Sequence, residues 1–145
     1  MYKHILVPTD GSDLADKAVD QGIMLAKLTG ADLTLLRVTA PPAPLVVEGV
    51  VVAYPQEDVQ KQVKSRVAAH LGGLADKAKA AGVKVAERHT ENDHPWRAIV
   101  DTAKDIGASL IVMSSHGRRG LSALVIGSET HKVLTHTDVP VLVCR

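Results

Sequence analysis

The sequence has no phenylalanine, one tryptophan and two tyrosines, so aromatic residues make up only 2% of its 145 positions. A protein that captures single-stranded nucleic acid needs rings on which bases stack, and this chain has almost none. It also has little cysteine: Cys144 stands alone, which excludes an intrachain disulfide and suits a reducing compartment. Charge of one sign is not in excess either. The formal net charge is +1 and no basic block occurs, so broad electrostatic capture of DNA is not expected. Long apolar runs are missing as well. The stretch "PLVVEGVVVAY" is interrupted by Glu48 and falls short of the roughly 20 residues that span a bilayer. The opening "MYKHILVPTD" reaches Asp10 too soon for a signal peptide. These absences point to a soluble cytoplasmic protein with neither nucleic acid nor membrane as its partner.

What the chain does contain is aliphatic. Hydrophobic residues reach 46%, carried by Val, Leu, Ile and Ala, a composition that suits a buried parallel sheet under Ala-rich helices. The length is that of one domain, over residues 1–145. Three segments repeat the order helix, glycine, strand: "MLAKLTGADLTLLRV", "ADKAKAAGVKVAERH" and "TAKDIGASLIVMS". The glycines (Gly30, Gly82, Gly107) suit helix C-termini, and Lys27, Lys79 and Lys104 complement the dipole there. With "KHILVPT" opening and "VPVLVCR" closing, the expected order is βαβαβαβαβ. That is an α/β fold with a doubly wound sheet of five parallel strands and helices on both faces.

The spacing predicts helix one from Ser12 to Thr29, buried through Leu14, Ala18, Val19, Ile23 and Ala26. Helix two is expected from Gln56 to Ala81, with Val59, Val63, Val67, Leu71, Leu74 and Ala78 inward. Helix three starts at Pro95 and buries Trp96, Ile99, Val100, Ala103 and Ile106. A last helix capped by Ser128 is expected to bury Val133 and Leu134. The proline-rich segment 40–55 excludes a regular helix and reads either as a lid or as a surface loop.

Ligands of open parallel sheets bind beyond the carboxyl ends of the strands. There the chain places Pro8, Thr9 and Asp10, then Val38 and Thr39, Thr90 and Glu91, and finally Ser114, Ser115 and His116. A P-loop, a G-x-G-x-x-G fingerprint, a receiver-type aspartate with its lysine and an HxGH motif are all missing from these positions. The histidines show no metal spacing: His131 and His136 are five apart, off a shared helix face. No Ser, His and carboxylate stand in a hydrolase elbow. No catalytic residue and no metal ligand is therefore expected.

The stretches "ILVPTDGS", "ADLTLLRV", "ASLIVMSSHGRRGLSALVIGSETHKVL" and "VPVLVCR" resemble the universal stress protein family over essentially the whole chain. Nucleotide-binding members share glycine, two residues, glycine, nine residues, then glycine with serine or threonine. Here Gly117, nine residues and Gly127-Ser128 reproduce the second half, and Ser114 replaces the first glycine.

The resemblance implies a Rossmann-like or flavodoxin-like sheet in the order 3-2-1-4-5 that binds ATP or a related adenine nucleotide, with Mg²⁺ carried on the phosphates. It implies ribose contact by Asp10, adenine recognition by the Val38 backbone, and flanking by Pro8 and Met113. Ser114, His116, Gly117, Gly127, Ser128 and Glu129 would approach the phosphates. Arg118 and Arg119 would either clamp a triphosphate or face solvent. Ser114 costs about 1 kcal/mol or more if the lost glycine served a left-handed backbone angle; if it served close approach, it adds one small hydroxyl. The family pairs its last strands across a two-fold axis, which implies a homodimer through Val139, Val141 and Val143. Pro140 withholds one N–H from that strand. The implied role is a stress-response regulator with a downstream protein partner. A dimeric interaction module without nucleotide and a weak ATPase are the alternatives.

Overall fold

The computed structural model describes residues 1–54, 56–117 and 126–145. Strand β1 (His4–Pro8) leads through α1 (Asp13–Thr29) to β2 (Asp32–Thr39). A short hairpin follows, β3 (Leu45–Val47) and β4 (Val50–Ala53), and then α2 (Glu57–Ala80) and β5 (Val85–Glu91). The chain closes with α3 (Pro95–Asp105), β6 (Leu110–Ser114), α4 (Ser128–His136) and β7 (Val141–Cys144). The main sheet runs β5-β2-β1-β6-β7 with every pairing parallel. With the hairpin strands left out of the count, this is the expected order 3-2-1-4-5.

Strand alternation divides the core between the two faces. Ile5, Val7, Leu33, Leu35 and Val112 pack with Val19 and Ile23 of α1 and with Val67, Leu71 and Ala75 of α2. Leu6, Leu36, Ile111 and Met113 turn the other way, onto Ile99 and Ala103 of α3 and Val133 of α4. The closest approach of helix to sheet falls at Gly22, where an added β-carbon would lie 2.6 Å from Val7 Cγ2. Ser12 caps α1 through Ala15 N–H, and Gly30 ends it at φ 70°.

Several expectations change. Val59 and Val63 are 52% and 42% exposed. Helix α2 has 24 residues and is therefore about 36 Å long, whereas the seven residues of β5 span only about 23 Å. Its first turns overhang the sheet. Gly127, rather than Ser128, occupies the N-cap of α4; Ser128 is already helical, and Leu134 is exposed. The segment after β2 contains a regular element, the β3–β4 hairpin, which turns at Glu48 (φ 50°) and Gly49 (φ 80°). Its valines are exposed on both faces. Hairpin residues do not line the cavity described below; among the described residues of segment 40–55, Ala40 alone does.

Strand β7 lies at one edge of the sheet. Val139 and Val141 pack partly against the α3–α4 side of the core and Cys144 against the opposite side. Burial raises the Cys144 thiol pKa above its ordinary value, which makes it a packed residue rather than an activated nucleophile. The Pro140 carbonyl accepts from Ile111 N–H and the Cys144 carbonyl from Ser115 N–H. The two-residue repeat therefore turns the peptide groups of Val141 and Val143 toward the open edge. The N–H that proline lacks is on the β6 side, so Pro140 removes nothing from that edge. Among the described residues, no helix is long and apolar enough to cross a membrane.

Candidate functional site

The sheet order reverses between β1 and β6, and the carboxyl ends of these strands open onto a cavity of about 520 Å³. That volume lies within the range of about 300–1,000 Å³ that small-molecule sites occupy. One wall is apolar: Pro8, Ala15, Leu36, Val38, Ile99 and Met113. The rest of the lining includes Thr9, Asp10, Ser114, His116 and Gly117, with Gly127, Ser128, Glu129 and Thr130 at the start of α4. Eleven of the thirteen expected nucleotide-site residues thus share one cavity; Arg118 and Arg119 lie outside the described residues, as does Gly120.

Three helices direct their N-termini at this space: α1 beyond Asp10, α3 at Pro95 and α4 at Ser128. Their dipoles and free N–H groups favour negative charge. Side chains already serve two of them. Asp10 Oδ1 accepts from Ser12 N–H at 3.0 Å and from the Ser12 hydroxyl at 2.6 Å, fixing the residue that caps α1. Glu129 Oε2 accepts from Trp96 N–H in the first turn of α3 at 2.9 Å. Among the described residues no side chain caps α4, whose N-cap is Gly127, and its N-terminal turn lines the cavity.

The two glycines of the motif act through space rather than through backbone angle, since neither has positive φ. An added β-carbon on Gly117 would lie 2.5 Å from Asp10 Oδ2. One on Gly127 would lie 3.0 Å from the Ser115 carbonyl oxygen, which already accepts from Gly127 N–H at 2.8 Å.

Ser114 is resolved the same way. Among the described non-glycine residues only Glu48 has positive φ, so Ser114 carries no left-handed strain. Its hydroxyl donates to the His116 carbonyl at 2.7 Å, while its own carbonyl accepts from Thr130 Oγ1 at 2.9 Å. Ser114 therefore ties the end of β6 to the loop, and Thr130 ties it to α4. His116 uses Nδ1 on the Ser115 hydroxyl at 3.0 Å.

The third strand reaches further than expected. Glu91 pairs in register with Thr39, so Asn92 and Asp93, rather than Thr90 and Glu91, line the cavity. The Thr39 hydroxyl shares a hydrogen bond with His89 Nε2 at 2.7 Å, and Thr39 stays out of the lining. Leu36 and Ile99 read as plain core in the sequence, and no local pattern marks them as cavity wall. Asn92-Asp93 just ahead of Pro95 was the legible signal that was missed. Among the described residues, no group of three or more His, Cys, Asp or Glu could hold a metal ion.

Comparison with known proteins agrees with this geometry. The model of the Universal stress protein family matches residues 1–145. Universal stress protein YxiE of Bacillus subtilis (strain 168) is 34% identical over 149 aligned positions that cover 100% of both chains. The solved structure of hypothetical protein MJ0577 superposes with a TM-score of 0.81 at 25% identity, covering 99% of this chain and 96% of that one. A universal stress protein crystallised in complex with cAMP superposes with a TM-score of 0.72 at 26% identity, over 98% and 95% of the two chains.

Proposed function

The chain belongs to the universal stress protein family, and we propose that it binds an adenine nucleotide in the cavity between β1, β6 and α4. The observation that carries this reading is the N-terminus of α4, which no side chain among the described residues caps and which lines the same cavity as a set of aliphatic side chains. Such a helix end accepts a phosphate, and the aliphatic wall accepts a base. The cAMP complex of the related structure supports the ligand class.

In this assignment Pro8 and Met113 flank the base and the Val38 backbone reads its edge. Asp10, held by Ser12, faces the ribose alongside Thr9. The phosphates meet His116, Gly117, Gly127 and Ser128, with Ser114 shaping the loop beneath them. Magnesium enters with the phosphates rather than on a preformed protein site. Arg118 and Arg119 directly follow Gly117 in the sequence and are candidates for a further phosphate contact.

The protein works as a homodimer in the cytoplasm, as a stress-response regulator. The free peptide groups of Val141 and Val143 at the β7 edge support the pairing, and the unpaired Cys144 supports the compartment.

The test is a melting curve with and without millimolar ATP and magnesium, together with analysis of nucleotide carried through purification. The expected result is a raised melting temperature in the native protein that Gly127→Val abolishes. An unchanged melting temperature with no nucleotide in the purified protein overturns the reading. A shift that survives Gly127→Val overturns the site.

A further inference from the structure

The cavity proposed for a polyphosphate also contains a carboxylate at its phosphate end. Glu129 is the second residue of α4, lines the cavity and is only half-buried. Its first oxygen accepts from Trp96 N–H at the start of α3, and its second meets Lys132 Nζ at 3.2 Å. Both contacts hold it in place, and the half-exposed Lys132 ammonium offsets its charge only in part, because such a pair is screened by solvent.

The sequence resemblance assigned Glu129 to phosphate approach, but an acidic side chain cannot donate a hydrogen bond to a phosphate oxygen. Its effect on an anion is repulsive, and the repulsion grows with the ligand's charge. Asp10 and Asp93 line the same space. Asp10 has one oxygen committed to Ser12 in the β1–α1 turn, whereas Glu129 stands in the first turn of α4, beside the Gly127 and Ser128 that meet the phosphates in the assignment above.

We infer that Glu129 sets the ligand preference of this site by charge. It disfavours each added phosphate, so that a triphosphate binds well only when a divalent cation comes with it. This rests on the nucleotide reading above and adds to it a residue that decides which nucleotide is held. Glu129 acts at the same time as a positioning residue, because its contact with Trp96 N–H joins the first turns of α3 and α4.

The experiment is calorimetric titration of adenosine, AMP and ATP into native protein and Glu129→Gln, with ATP measured both in EDTA and in excess magnesium. Glutamine keeps an oxygen for the Trp96 N–H, so the fold is preserved, and a melting curve without ligand confirms it. The expected result is a graded gain in the variant. Adenosine is unchanged, AMP gains less than about threefold, and metal-free ATP gains about tenfold, as one like-charge contact in partly solvated surroundings predicts. Magnesium shrinks the ATP gain. A gain or loss equal for all three ligands assigns Glu129 a structural role only and overturns the inference, as does no change in any of them. If neither protein binds any of the three, the nucleotide reading itself falls, and the inference with it.

Discussion

The carboxylate of Asp10 occupies the space that a side chain at residue 117 would need: a β-carbon on Gly117 would stand 2.5 Å from Asp10 Oδ2. The first strand's loop and the glycine loop thus interlock through two residues far apart in sequence. Gly117→Ala forces Asp10 to turn away and give up its bonds to Ser12. The expected loss is about 1–3 kcal/mol of stability, the range for breaking charge-assisted hydrogen bonds. Urea denaturation measures it. The double variant with Asp10→Ala should lose clearly less than the sum of the two single variants; strict additivity would disprove the interlock.

Ser114→Gly is expected to weaken the protein without improving the site. The substitution removes the bond to the His116 carbonyl and adds a flexible residue at a strand end. Together these cost about 1–2 kcal/mol. Because the hydroxyl is engaged with the loop and the backbone is unstrained, restoring the family's glycine relieves nothing. Tighter nucleotide binding by Ser114→Gly in calorimetry would contradict this.

Val143→Pro tests the proposed dimer with little cost to the fold. The N–H it deletes points to the open edge, away from β6, so the main sheet keeps its pairing. Sedimentation is expected to show monomer where the native chain sediments as dimer, with the melting temperature of the isolated fold nearly unchanged. A variant that remains dimeric would move the interface elsewhere.

Two helical glycines should respond in opposite directions. At Gly22 a β-carbon meets Val7 Cγ2 at 2.6 Å, so Gly22→Ala pushes α1 off β1 and is expected to cost about 1–3 kcal/mol. At Gly73, in the middle of α2, an added β-carbon meets nothing within 4 Å. Gly73→Ala should therefore stabilise by about 0.5–1 kcal/mol through the unfolded chain. Paired denaturation curves decide both.

Much of this protein was legible in one dimension. The alternation of "HILVP" and "LIVMS", the glycines after α1, α2 and α3, and the apolar stripe of α1 follow from local sterics and from the periods of helix and strand. Those rules need only neighbours in the chain, which is why the element order and strand count came through. The rule that ligands sit beyond strand ends then placed Asp10, Val38 and Ser114 together without reference to any contact.

Other features depended on distance in space, which no local period encodes. Gly117 reads as a glycine for bending, yet its role comes from Asp10 across the loop. Glu129 reads as a phosphate neighbour, yet it accepts from the N–H of Trp96, thirty-three residues earlier, in the first turn of α3. Val59 and Val63 fit the apolar stripe of α2, but the sheet beneath them ends before their turns begin. The sequence by itself determined which residues form helices and strands and which strand ends hold polar groups, because those depend on backbone geometry and on burying apolar faces. Only the tertiary structure decided how the start of α3 is served, because that depends on a carboxylate from α4 reaching the Trp96 N–H across the fold, whereas α1 is capped by its own Ser12.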